Sequence, residues 1–283
     1  MIEYILGLVA NPGYPKLKLD IWSLEGKEMK ATIAVLGDTA ILKVSQLHTS
    51  KSRYLILTMM AGFFVGFGII LIFTIGGLLG PTGFAGTKII MGVTFGIALS
   101  LVLMAGADLF TSNNMIMTIG TLTKKTTWYE TLQIWIFSYV GNFAGSILIA
   151  ALFVYSGLAT GGTTDYINAA ASAKMNAPFV ELVMRGILCN ILVCLAVWCA
   201  FKLREETAKL IMIFWCLFAF ITSGFEHSIA NMTLLSLSLM VPHPDTVSLA
   251  GLVANLVPVT IGNIIGGAVF IGAAYWFANS DKN

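Results

Sequence analysis

A chain of 283 residues that is 57% apolar and only 11% charged, with a mean hydropathy of +0.87, is not built like a soluble domain, where about 25% of residues are charged. A formal net charge of +2 is too small to suggest nucleic-acid binding. The four cysteines, Cys189, Cys194, Cys199 and Cys216, all lie in apolar runs without His/Cys pairs at ligand spacing, which speaks against a disulfide framework and against a metal site. They read as small packing residues.

The first residues, Met1-Ile-Glu-Tyr-Ile-Leu-Gly7, lack the basic start and long apolar core of a secretory signal. Residues 1–28, with Asn11-Pro12-Gly13-Tyr14-Pro15, read as an irregular extension. From Met29 to Gln46, apolar Ile33, Leu36, Ala40, Ile41 and Val44 fall at near-helical spacing, with Lys30, Asp38 and Lys43 elsewhere. That pattern predicts an amphipathic helix at the cytoplasmic surface, with a plainly solvated tail as the alternative because Gly37 weakens it. Residues 1–53 are therefore expected outside the bilayer, 54–277 within it, and 278–283 as a short tail.

A membrane helix needs about 20 largely apolar residues. Six segments qualify: 54–79, 89–119, 131–157, 180–201, 210–240 and 247–277. The second and fifth are too long for a plain span, and both carry a polar interruption. Gly106-Ala-Asp108-Leu-Phe-Thr-Ser-Asn113-Asn114-Met115 in the second resembles Gly224-Phe-Glu226-His227-Ser-Ile-Ala-Asn231-Met232 in the fifth. Pairing the Asn-Met ends sets Asn114 against Asn231, with one residue of slip. A helix, an irregular turn and a second half-helix explain both the length and the polarity, since non-helical backbone at membrane depth survives only beside a cavity or inside protein.

Lysine and arginine set the expected orientation. Lys16, Lys18, Lys27, Lys30, Lys43, Lys51, Arg53, Lys124, Lys125, Lys202, Arg204, Lys209 and Lys282 fall on one side. Lys88 and Lys174 fall on the other, with Arg185 in the first turns of span four. The positive-inside rule then puts both termini in the cytoplasm of a multi-pass inner-membrane protein. The halves repeat: Val140-Gly-Asn142-Phe-Ala-Gly145 in span three matches Ile261-Gly-Asn263-Ile-Ile-Gly266 in span six. Each half has three spans, so the second must be inverted relative to the first, and paired discontinuous helices in inverted repeats point to a midplane permeation site. Glycines 62, 66, 68, 141, 145, 262, 266 and 267 suit close helix approach; chance likeness among glycine-rich spans is the competing reading.

Three separated stretches carry a family resemblance: Gly106-Ala-Asp-Leu-Phe-Thr-Ser-Asn113, Arg185-Gly-Ile-Leu-Cys-Asn190 with Leu192-Val-Cys-Leu-Ala196, and Gly224-Phe-Glu-His-Ser-Ile-Ala-Asn-Met232. Over residues 40–277 the chain resembles the formate/nitrite transporter family, which includes hydrosulfide channels, and it leans towards that hydrosulfide branch. The resemblance implies an all-α, aquaporin-like bundle of six spans per protomer, a homopentamer in the bilayer, and one pore per protomer for small monovalent weak-acid anions: hydrosulfide, formate or nitrite. It also implies a pore lined at the second-span break by Leu109, Phe110 and Thr111, narrowed by Phe95, Leu99 and Phe220, and presenting His227 between the narrowings. An outer-loop lysine belongs at the mouth, and Lys174 occupies that place.

An anion in a hydrocarbon-walled constriction loses its water, at a cost of tens of kcal/mol for an isolated ion by Born estimates. Half-helix N-termini and the donors of Thr111, Ser112 and Asn113 lower it. So does taking up a proton and crossing as a neutral acid. His227 titrates nearest neutral pH and is the natural donor of a hydrogen bond or of the proton itself. Burial and a nearby carboxylate act on its charge in opposite senses, so both forms stay open. On a helix Glu226 and His227 lie about 100° apart, so both cannot point into one pore; the resemblance implies that His227 is the one in the lumen. Glu226 and Asp108 are then expected to tie down the broken backbone by accepting N–H bonds, with Asn114 and Asn231 as further structural residues of the breaks. Bland readings stand beside these: His227 as a hydrogen-bonded structural histidine, Thr111 bonded to its own helix, Lys174 as a solvated loop residue, and Phe95, Leu99 and Phe220 as packing. Arg185 is placed one turn from Glu181, as for a helix-end ion pair. No function is assigned to His48 or His243.

Two rivals remain. A neutral-solute pore of the aquaporin kind lacks its Asn-Pro-Ala signature, because Met232 follows Asn231. A membrane enzyme using Glu226 and His227 as acid and base lacks a nucleophile, metal cluster or phosphate loop beside them. The expectation is a channel rather than an enzyme, with protons as co-partners and no cofactor.

Overall fold

The computed structural model describes residues 21–279 as an all-helical bundle. Helix α1 runs Ile21–Thr49, so part of the expected irregular extension is helical; residues 1–20, and 280–283 of the expected tail, lie outside the described residues. Ile33, Leu36, Ala40, Val44 and Leu47 are buried against the bundle, but Ile41, expected on that stripe, is 43% exposed. It follows Ala40 by one residue, about 100° further round the helix. Gly37 has a packing reason: a Cβ there would lie 2.9 Å from Lys125 Cδ.

Among the described residues six helical segments are long and apolar enough to cross a membrane: Lys51–Thr82, Thr87–Met104, Trp128–Tyr155, Phe179–Lys202, Glu206–Ser223 and Leu249–Asn279. In order, α2 is Lys51–Leu79, α3 Thr87–Thr94, α4 Ile97–Met104, α5 Phe110–Leu122 and α6 Trp128–Tyr155. They are followed by α7 at Gly161–Met175, α8 at Phe179–Lys202, α9 at Glu206–Ser223 and α10 at Ser228–Met240. Helix α11, Leu249–Ile264, passes into a π-helical stretch, Ile265–Ala273, and then α12, Ala274–Asn279. Starts are capped by side chains: Ser50 accepts from Arg53 N–H, Thr127 and Glu130 form a capping box, and Ser248 accepts from Gly251 N–H.

Both long segments are broken. The second stops at Met104 and resumes at Phe110, and the fifth stops at Ser223 and resumes at Ser228. Gly106 and Gly224 turn the chain at φ 78° and 77°, a left-handed conformation that glycine adopts without penalty. The first half of segment two is also interrupted between α3 and α4, at Phe95-Gly96, which the sequence did not announce.

The two inverted halves are held by equivalent helix pairs, α2 on α6 and α8 on α11. In the first, a Cβ on Gly62 or Gly145 would lie 1.9 Å from the carbonyl oxygen of Asn142 or Met59 respectively. In the second, a Cβ on Gly262 or Gly266 would lie 2.3 or 2.4 Å from the carbonyl oxygen of Val183 or Ile187. Backbone packs on backbone in both, as small residues permit between apolar helices. The π-helical stretch brings Gly267 against Asn190, Asn114 and Cys194, where a Cβ would lie within 2.6–2.9 Å of all three.

Candidate pore site

The two breaks are fastened by the same set of bonds. Asp108 N–H donates to Leu57 O and Glu226 N–H to Arg185 O, each at 3.2 Å. Beside the first break, Asn142 donates to Thr58 O and Asp108 O at 2.7 and 2.9 Å, and its oxygen accepts from Phe110 N–H at 2.9 Å. Beside the second, Asn263 donates to Gly186 O and Glu226 O at 2.8 and 3.0 Å, and accepts from Ser228 N–H at 2.9 Å. A primary amide suits this place because it offers donors and an acceptor to backbone groups that no water reaches.

Asp108 and Glu226 therefore do something other than the expected capture of backbone N–H groups. Asp108 accepts from Lys43 Nζ at 2.5 Å and from the Asn113 amide. Glu226 accepts from Lys174 Nζ at 2.7 Å and from the Asn231 amide at 2.6 Å. A buried carboxylate left without a cation costs more than any single amide bond returns, so the ammonium groups take it first. Across both breaks the repeat runs at one offset of 118 residues, pairing Asn231 with Asn113 and removing the one-residue slip. Asn114 instead accepts from Asn190, whose amide also donates to Thr111 O and Asn263 O at 3.1 and 2.6 Å.

One residue past the acids the halves differ. His227 is the N-cap of α10: its Nδ1 accepts from Ala230 N–H at 3.1 Å. An accepting Nδ1 carries no proton, so the neutral ring carries it on Nε2, 3.0 Å from Thr111 Oγ1. Thr111 thus meets the imidazole. A cavity of about 410 Å³ opens from the end that carries α7 and reaches Phe220 and His227, with Lys88 and Lys174 in its wall. Beyond them lies a space of about 10 Å³ bounded by Phe95, Leu99, Leu109, Phe220 and His227, scarcely room for one water. Phe95 and Phe220 meet edge-on at 5.6 Å, and Phe220 stacks on the His227 ring at 5.9 Å.

Among the residues expected at the pore, Phe95, Leu99, Leu109, Phe220 and His227 come together at these cavities, and Thr111, which lines neither, joins them through its bond to His227. Lys174 sits on α7 rather than in a loop, tied to Glu226. Phe110 lines neither cavity: its ring meets Tyr139 edge-on at 5.0 Å. Arg185 pairs with Glu181. Among the described residues no three His, Cys, Asp or Glu side chains gather as for a metal.

Residues 31–277 match the sequence model of the family described as Formate/nitrite transporter. The Nitrite transporter NirC of Salmonella typhimurium is 46% identical over 224 residues, covering 77% of this chain and 80% of the relative. A solved structure described as an FNT family ion channel is 41% identical with a TM-score of 0.84, covering 88% of this chain and 99% of that one. Another, described as a pentameric formate channel with formate bound, is 28% identical with a TM-score of 0.71, covering 80% and 96%.

Proposed function

The chain belongs to the formate/nitrite transporter family, and on that footing we propose that it is a channel for small monovalent weak-acid anions, nitrite first among them, with one pore through each protomer of a pentamer. Nitrite leads because the NirC relative shares 46% of its residues; formate follows from the structural neighbour with formate bound, and hydrosulfide belongs to the same chemical class. The assembly reading rests on that neighbour's pentamer. By the charge asymmetry of its loops the α1-bearing end and both termini face the cytoplasm, in the inner membrane.

The observation that carries the reading is the junction of the 410 Å³ cavity with the Phe220–His227–Thr111 group. An anion enters the cavity past Lys88 and the Lys174–Glu226 pair. At the edge-on Phe95–Phe220 pair it sheds water, which an isolated ion in hydrocarbon does only at a cost of tens of kcal/mol. It therefore crosses with a proton, as the neutral acid. The Nε2–H of His227 and the hydroxyl of Thr111 supply hydrogen bonds where water is missing. Protonating Nδ1 as well would break the Ala230 cap, so His227 serves as a hydrogen-bond donor rather than a carrier of charge.

Flux into proteoliposomes tests this. Vesicles with the protein take up nitrite, formate or hydrosulfide faster than empty ones, and faster at lower outer pH, where more of the solute is protonated. Vesicles no more permeable than empty ones to all three anions would end the channel reading.

A further inference from the structure

Asn255, fully buried in the second turn of α11, belongs to none of the break fastenings described above, yet it closes a ring around one of them. Its Oδ1 accepts from the Asn231 amide at 2.8 Å, and its own amide donates to Lys174 O at 3.0 Å. Asn231 in turn donates to Glu226 Oε2, and Lys174 Nζ to Glu226 Oε1. Four residues from three helices and a break thus form a closed circuit in which Lys174 is held at both ends, by its ammonium and by its main-chain carbonyl. That carbonyl lies in the last turn of α7, where helix carbonyls lack partners within the helix, so the Asn255 amide meets a need no residue of α7 supplies.

Among the described residues the other half has no such amide; there the buried Tyr54 hydroxyl lies against Asp108 and Asn113. The α6–α11 equivalence that relates Asn142 to Asn263 places Ile134, also fully buried, opposite Asn255. Asn113, the counterpart of Asn231, has an Oδ1 without a hydrogen-bond partner, and Lys43 meets Asp108 through its ammonium. The fold stands without this amide in one half, so the amide in the other has a local purpose.

We propose that Asn255 is a positioning residue of the anion entrance: it fixes Lys174 over Glu226, so that the cavity wall presents a neutralised pair in one arrangement in place of a mobile ammonium above a bare carboxylate. The inference rests on the reading of that cavity as the anion's way in only for its effect on flux; its effect on Lys174 is independent of transport.

The test is competitive acylation of the assembled protein in detergent with acetic anhydride, read by peptide mass spectrometry as the ratio of Lys174 to Lys88 labelling. Lys88 lines the same cavity and serves as the internal reference. Asn255→Ser, which removes the amide without overfilling the site, raises the ratio about threefold or more, because an ion-paired amine reacts more slowly than a released one; Asn255→Ile, which installs the other half's residue, does the same wherever it assembles. In nitrite flux, Asn255→Ser raises the half-saturation concentration, and adds nothing further in a Lys174→Gln background, as residues acting through one another require. An unchanged labelling ratio in assembled Asn255→Ser overturns the proposal whatever the flux. An equal flux effect in both backgrounds overturns it as well. Empty-vesicle flux from the wild type, with the labelling ratio still raised by Asn255→Ser, would sink the channel reading alone.

Discussion

Leu109 and His227 hold the same place in the two halves, each one residue past the carboxylate of its break, yet one offers an isobutyl group and the other an imidazole. The pseudo-twofold arrangement of the breaks is thus kept in the scaffold and abandoned at the lumen. His227 reaches Thr111, across from the other half, at 3.0 Å. Replacing Thr111 by Val keeps the shape and deletes the hydroxyl. Loss of one net hydrogen bond is about 0.5–1.5 kcal/mol, so nitrite flux should fall by up to about tenfold, with assembly unchanged on size exclusion. Flux equal to wild type would remove Thr111 from the path.

Phe220 stands between the large cavity and the small space beyond, edge-on to Phe95 and stacked on His227. Phe220→Ala opens that door. Vesicles with the variant should admit bulkier carboxylates such as acetate and propionate more readily, relative to nitrite, than wild type does. The same change lowers thermal stability, since truncating a buried Phe costs about 3–5 kcal/mol. An unchanged selectivity order would make Phe220 a packing residue.

At Gly62 the α2–α6 contact leaves no room, since a Cβ would approach Asn142 O to 1.9 Å. The obstructing atom is backbone, and Asn142 is the residue that fastens the first break. Gly62→Ala should therefore destabilise by more than the usual 1–3 kcal/mol or so of overpacking, read as a lost or sharply lowered melting transition of the assembled protein. Gly26→Ala, where nothing lies within 4 Å, is the control and should leave the transition in place.

Lys88 lines the entrance cavity, and among the described residues no ion pair engages it, whereas Lys174 is already paired with Glu226. An unpaired cation at a concave mouth attracts anions through space and is screened by salt. Lys88→Gln should raise the nitrite half-saturation concentration at low ionic strength, by about two- to fivefold, and should differ little from wild type near 1 M salt, where the Debye length is about 3 Å. The measurement is initial flux against nitrite concentration at two salt levels; equal curves at low salt would contradict it.

Much of this architecture was legible because a bilayer narrows the choices. Apolar runs of spanning length mark six segments, and an acid or imidazole within such a run is too costly to be incidental. The paired motifs located both breaks, and the Val140-Gly-Asn142 and Ile261-Gly-Asn263 match located the residues that fasten them. Their task stayed hidden, because an Asn that bonds three backbone groups looks in sequence like any Asn beside a glycine. The acids' true partners stayed hidden too: Lys43 and Lys174 lie 65 and 52 residues from Asp108 and Glu226. Asn255 carries no motif and is visible only through the circuit it closes. The π-helical stretch Ile265–Ala273 gave no sign beyond its glycines. Phe110 follows Leu109 in the motif but points to Tyr139, because neighbouring residues of a half-helix face different ways.

The central claim, that the Nε2–H of His227 eases the weak acid past the aromatic narrowing, is tested most directly by nitrite flux through His227→Phe, an aromatic ring without a donor. The account predicts a protein that assembles as wild type does and loses flux by about tenfold or more, the value of a hydrogen bond of roughly 1.4 kcal/mol or above. Wild-type flux through assembled His227→Phe would contradict it.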